Sequence, residues 1–191
     1  GSPGFIEAAA RAKVQAATRL AHLALRTLDE GEPGDPTAQV VGLLLRLCVH
    51  PRVLHLFRGH FAPSLKHLAS EFDSMMRDVA AVLWRTRPGW SQTVDLQVRL
   101  PLRWGGTGLR PVEEIAPAAY LGSWAQVLPD VERLVGGAPI LGPDAPDSPT
   151  VVAVRAAVEE WRTLAARPET DPVDWEVARA QPRGLLKQQR V

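Results

Sequence analysis

From Phe5 to Leu28 apolar residues return at three- and four-residue steps (Ile6, Ala10, Val14, Ala17, Leu20, Ala21, Leu25, Leu28), which predicts one amphipathic helix with Arg11, Lys13, Arg19 and Arg26 off its apolar face. Asp29 to Gly34 breaks it. Asp35-Pro36 then reads as an N-cap with proline at the first helical position. The second helix carries Val40, Val41, Leu43, Leu44, Leu45, Leu47 and Val49. It is apolar nearly all round, so a buried central helix is expected, kinked or ended near His50 by Pro51. Beyond Pro51, Arg52, His55 and Arg58 recur every third position opposite Val53, Leu54, Leu56 and Phe57, forming a basic stripe. The clearest helix opens at Pro63 and keeps Leu65, Leu68, Phe72, Met75, Met76, Val79, Val82 and Leu83 on three- and four-residue steps as far as Trp84.

Val94 to Leu100 alternates apolar and polar residues, the pattern of a strand. One short strand without a partner is unstable. The stretch is therefore either half of a small hairpin within 94–109 or a short helix leading into Gly105-Gly106-Thr107-Gly108. Glu113 and Glu114 follow at a helix start, where negative charge complements the helix dipole. A helix from Pro117 to Val135 should turn Ala119, Leu121, Trp124, Val127, Leu128, Val131 and Leu134 inward. Residues 136–149, rich in Gly and Pro, read as a linker or long loop. Thr150 can cap a helix carrying Val151, Val154, Val158, Trp161, Leu164 and Ala165, a short last helix opens at Asp171-Pro172, and the tail from Gln181 reads as loose. The expected fold is mainly all-α, a bundle of about five to seven helices. Its divisions are a helical bundle over 1–88, the glycine turn plus a helix over 89–135, the linker, and C-terminal helices with a tail over 150–191.

In a chain of 191 residues, 46% hydrophobic, no apolar run approaches the ~20 residues a membrane helix needs. No basic n-region followed by an apolar h-region occurs at the start. The single cysteine, Cys48, excludes an internal disulfide and an all-cysteine metal site. The expectation is an intracellular chain, nuclear or cytoplasmic and not secreted, with no membrane partner. Net charge is only +1, but its distribution is uneven. Arg46 to Arg110 contains ten Lys and Arg against four Asp and Glu, and also His50, His55, His60 and His67. A basic middle between acidic flanks is what a polyanion partner would meet, and equally what solvated helix faces look like.

Most catalytic chemistry lacks its residues. The glycine turn has no Gly-Lys-Ser/Thr and no dinucleotide spacing, no Gly-x-Ser-x-Gly occurs, and the histidine spacings do not pair on one helix face for zinc. Glu159 and Glu160 are neighbours that do not face each other. No catalytic residue, metal site or cofactor is expected. Arg99, Arg103 and Arg110 stand in and beside the glycine turn with Trp104 among them, and guanidinium groups next to an aromatic plane can grip phosphates and stack on bases. Trp84, Arg85, Arg87 and Trp90 repeat that mixture, although a tryptophan plugging the end of a core would look the same.

Two stretches resemble a known family. "RLPLRWGGTGLR" followed by "APAAYLGSW" looks like the "LPxRxGGLGLR…AAYLASW" region downstream of the catalytic palm in reverse transcriptases of non-LTR (LINE-type) retrotransposons. "VGLLLRLCVHPRVLHLFRGHFAP…FDSMMRDVAAVL" is similar to the "LLLRxCxxPRxxYLLR…FDxxVxxxL" helical stretch of their thumb and connection region. The likeness runs from about Ala38 to Leu128. Members of that family polymerise DNA on an RNA template with two metals held by palm carboxylates, in a Tyr/Phe-x-Asp-Asp turn. No Asp-Asp pair occurs here, and Tyr120 stands in another context. The resemblance therefore implies a nucleic-acid-gripping thumb or linker part of an RNA-directed DNA polymerase without its chemistry. Its implied partners are RNA, DNA or an RNA-DNA hybrid, and the palm of the same polyprotein. The implied contacts are Arg52, Arg58, Arg99, Arg103 and Arg110 for phosphates and Trp104 for stacking. The alternative is an α-helical protein-interaction module, stand-alone or retroelement-derived, in which the glycine turn merely joins helices.

Overall fold

The computed structural model describes residues 3–29, 36–61, 63–85, 92–137, 140–141 and 147–164. Among them all regular structure is helical, and no strand occurs. Six helices follow one another: α1 Pro3–Asp29, α2 Thr37–Gly59, α3 Lys66–Leu83, α4 Gln92–Arg99, α5 Val112–Leu134 and α6 Pro149–Leu164. Single turns of tighter helix sit at Pro63–Leu65 and Leu102–Trp104. The helices expected at Phe5 and Pro63 form nearly as read, and the short helix at Asp171 lies outside the described residues.

The possible hairpin over 94–109 does not form. Alternation places Val94 and Val98 four residues apart, which is also one face of a helix, and both are half-buried while Leu96 is exposed. Asp95 and Arg99, likewise four apart, join as an ion pair that only the helix allows. With no second strand to pair, the helix wins.

Pro51 neither ends nor splits α2. Over Leu45–Val49 the helix widens by one residue per turn, and the His50 amide donates to the carbonyl of Leu45, five residues back. A wide turn directly before a proline relieves the clash between its ring and the preceding turn, at the place where the ladder lacks a donor anyway. Nor is α2 buried all round. Val41, Leu45, Val49 and Val53 are fully buried, yet Val40, Leu43, Leu44 and Leu47 stay 40–62% exposed. Contrary to the sequence expectation, α2 is long and apolar enough to cross a membrane by length and composition, a test that the core helix of a soluble protein also passes.

The chain divides into two compact units, Gly1–Leu56 with Ser64–Ile115, and Phe57–Pro63 with Ala116–Val191. In the first, α1 packs on both α2 and α3. Its contribution is a stripe of small side chains, Ala10, Val14, Ala17, Ala21 and Ala24, against which Leu68, Phe72, Met76, Val79 and Leu83 of α3 are also buried. Each large side chain so buried contributes roughly 1.5–3 kcal/mol. In the second unit Phe61, Tyr120, Leu121, Val154, Ala157 and Val158 form the core, with Trp124, Leu141 and Trp161 around it. The Phe61 and Tyr120 rings lie 5.7 Å apart, and Tyr120 meets Trp124 edge-on at 6.4 Å.

Helix α5 starts at Val112 rather than at Pro117, so the two acidic residues and the following segment belong to one helix, with Pro117 and Pro129 inside it. Of the side chains expected inward, Val127 and Leu134 are exposed. The cap of α6 is Ser148, whose hydroxyl accepts the Val151 amide at 3.2 Å, and not Thr150. Replacing Ser148 by Ala should therefore lower stability by about 1 kcal/mol in chemical denaturation, and Thr150→Ala by clearly less.

Candidate nucleic-acid interface

The glycine turn is built as the C-terminal closure of α4. The amide of Gly106 donates to the Pro101 carbonyl, Thr107 to Val98 and Gly108 to Leu100, while the Thr107 hydroxyl donates to Val98 as well, at 2.7 Å. The last carbonyls of a short helix, otherwise orphaned, are thereby satisfied by the chain that follows. Two glycines are required for different reasons. Gly105 takes φ +76°, in the left-handed region, and a Cβ on Gly106 would lie 2.0 Å from the Leu100 carbonyl oxygen and 2.6 Å from that of Gln97.

Three side chains from α2 and α3 seat this turn in the first unit. Asp73 of α3, a buried residue, accepts the amides of Val112 and Glu113 at 2.7 and 2.9 Å, capping α5 from a distance of 39 residues in sequence. His50 of α2 donates from Nε2 to the Arg110 carbonyl at 2.7 Å, which fixes its tautomer. Arg46 of α2 lies across Gly108, where a Cβ would stand 3.0 Å from its Nε. Burial pushes the Asp73 carboxyl up to about 6 even though two amides and Arg77 pull it down. Desolvation holds the His50 imidazole below its ordinary value, against the hydrogen bond to Arg110.

Arg99 belongs to the same framework. Its guanidinium pairs with Asp95 of its own helix at 2.5 Å and with Glu114 in the first turn of α5, and its Nε is buried without a hydrogen-bond partner. Two carboxylates already answer its charge, so Arg99 ties α4 to α5 instead of standing free for a phosphate. Arg110 is exposed and, with Arg77 and Arg99, lines a cleft of about 120 Å³ whose walls also carry Asp73, Asp95, Glu113 and Glu114. That mixture of signs does not make an anion pocket.

Arg103 and Trp104 stand at the exposed tip of the turn. The Arg103 guanidinium carbon lies 4.8 Å over the indole, a cation-π pair, and Trp104 is 56% exposed. Arg52 is exposed on the outer side of α2 in the first unit, and Arg58, exposed too, falls within the second. Among the described residues no group of three or more His, Cys, Asp or Glu side chains could hold a metal ion. Nothing in the periodicity singled out Asp73 or Arg46. The signal available was a lone acid on the buried stripe of α3, between Phe72 and Met76.

A comparison with protein-family models, with curated proteins and with solved structures finds no match.

Two results are expected from this geometry. Gly106→Ala should destabilise the chain by several kcal/mol, because backbone must move, and Gly105→Ala by about 1–2 kcal/mol, while Gly59→Ala, with open space at its Cβ, should leave the melting curve unchanged or slightly raised. Second, folded Asp73 keeps a proton that the unfolded chain gives up near pH 3.8, so its contribution to stability falls as pH rises from about 4 to about 6. His50 acts in the opposite sense, since only the unfolded chain takes up its proton as pH drops below 6.5. The stability difference between wild type and Asp73→Asn, followed by denaturation from pH 4 to 7, should therefore change by roughly 2–3 kcal/mol, with the wild type losing ground toward pH 7.

Proposed function

We propose that the chain holds nucleic acid as a post-palm, thumb or connection segment of the non-LTR reverse transcriptase type, and that it carries no bond-making chemistry itself. What carries this reading is one juxtaposition: the stretches that bear the likeness meet at the glycine turn. Arg46 and His50 come from the first stretch, Asp73 from "FDSMM", and the residues they seat, Gly108, Arg110 and Val112, from or directly beside "RWGGTGLR". The turn so fixed presents Arg103, Trp104 and Arg110 outward. Pre-organised cations and an exposed indole suit a phosphate backbone with a base stacked beside it. Arg99 leaves the set of phosphate contacts, since its work is to join α4 and α5.

A second reading, a helical protein-interaction module, draws on a different observation, the exposed apolar side chains of α2.

Fluorescence anisotropy with a short RNA-DNA hybrid and with single-stranded RNA, across a salt series, separates the two. The nucleic-acid reading expects micromolar binding that weakens steeply with salt, and a triple variant Arg103→Ala, Trp104→Ala, Arg110→Ala that keeps its fold but loses about two units of salt slope, near 0.7–0.9 for each phosphate contact removed. No binding at low salt would contradict it.

A further inference from the structure

We infer that Trp104 selects a base with a free face, so that the turn takes an unpaired stretch, a single strand or an overhang, in preference to the paired interior of a duplex. The inference rests on the nucleic-acid reading and names the class of strand that site would take. Trp104 is 56% exposed although the Arg103 guanidinium lies 4.8 Å over one side of its ring, which leaves the opposite face and the ring edge to solvent. Beside it Gly105 is exposed, and no atom lies within 4 Å of where its Cβ would stand. The backbone under the indole is fixed, since the Trp104 amide donates to the Pro101 carbonyl at 2.9 Å and the Gly105 amide to that of Leu102 at 3.0 Å. A platform held in this way needs little ordering when a base lands on it.

Charge also argues for a single strand. From Gln92 to Glu114 the three arginines, Arg99, Arg103 and Arg110, are matched by three carboxylates, Asp95, Glu113 and Glu114. Asp95 and Glu114 hold Arg99, so Arg103 and Arg110 are the arginines of this segment left for phosphates, and the two glutamates follow Arg110 within four residues. A duplex brings one phosphate charge per ~1.7 Å of its axis, on two backbones, against a segment that is neutral as a whole. It also keeps its base faces inside the stack and shows the indole only the edges in its grooves. Two cations and one aromatic face fit a short run of one strand, with its phosphates on Arg103 and Arg110 and a base on Trp104. Because the cations are few, the stacked base decides between strands.

The test titrates the full chain, at one fixed low salt, with probes of a common sequence: a short single-stranded RNA, the same strand as DNA, an RNA-DNA hybrid sealed at both ends by non-nucleotide linkers, and that hybrid opened at one end to a short overhang. Each unpaired stretch carries a base analogue whose fluorescence is quenched by stacking. The expected result is binding of the single strands and the overhang about tenfold tighter than of the sealed hybrid, quenching of the analogue, and loss of both the preference and the quenching in Trp104→Ala. Trp104→Phe keeps an aromatic face and should keep most of both, which separates stacking from any folding defect, whereas Arg110→Ala should weaken every probe alike. Preference for the RNA strand, the DNA strand or both over the sealed hybrid supports the inference and identifies the strand. Equal binding of the sealed hybrid and the single strands, or a preference that survives in Trp104→Ala, would overturn the inference and leave the phosphate reading standing. Binding of no probe at all would overturn both.

Discussion

One buried carboxylate organises the first unit. Asp73 accepts the first amides of α5 from the buried side of α3, so the helix that follows the glycine turn begins only where α3 allows it to. Without that carboxylate the buried Val112 amide would lose its partner, a cost of about 1–3 kcal/mol, and the half-buried Glu113 amide would lose its own at a smaller cost. With it, the positions of Arg110, Pro111 and Val112 are set, and His50 and Arg46 hold the turn from the neighbouring helix. The Asp95–Arg99–Glu114 bridge closes the same frame from α4. Every candidate contact at the turn inherits its position from this network.

The arrangement separates two uses of arginine that look alike in sequence. Arg99 and Arg103 are four positions apart and both flank the same turn. Arg99 is enclosed by carboxylates and serves as a strut, whereas Arg103 lies on the face of Trp104 with its edge toward solvent. Charge counted along the chain could not tell them apart, because the carboxylates that occupy Arg99 come partly from beyond the turn, at Glu114. For the same reason the local excess of basic residues overstates the cations available to a polyanion.

The helices were legible wherever apolar residues kept a strict three- and four-residue step, as in α1, α3 and α6. Legibility failed where two periods coincide or where tertiary packing decides. Val94 to Leu100 satisfies both the strand and the helix pattern, and the Asp95–Arg99 pair belongs to the helix. Pro51 reads as a kink or an end of the helix because the wide turn that carries α2 through it leaves no mark in composition. The all-round apolarity of α2 suggested burial on every side, but only the face carrying Val41, Leu45, Val49 and Val53 is buried. Of the candidate site, the glycines and the Arg103–Trp104 pair were visible in the sequence. The buried carboxylate that positions them was not, since a single Asp on a helix is indistinguishable from a surface charge until the neighbouring amides are in place.

The most direct measurement is amide hydrogen exchange at Val112 and Glu113 in the wild type and in Asp73→Ala. If the carboxylate seats the turn, both amides exchange slowly in the wild type, and the substitution accelerates them, together with Thr107 and Gly108, far more than the amides of α1. Unchanged protection at Val112 and Glu113 in the variant, or a uniform loss across the whole unit, would contradict the account.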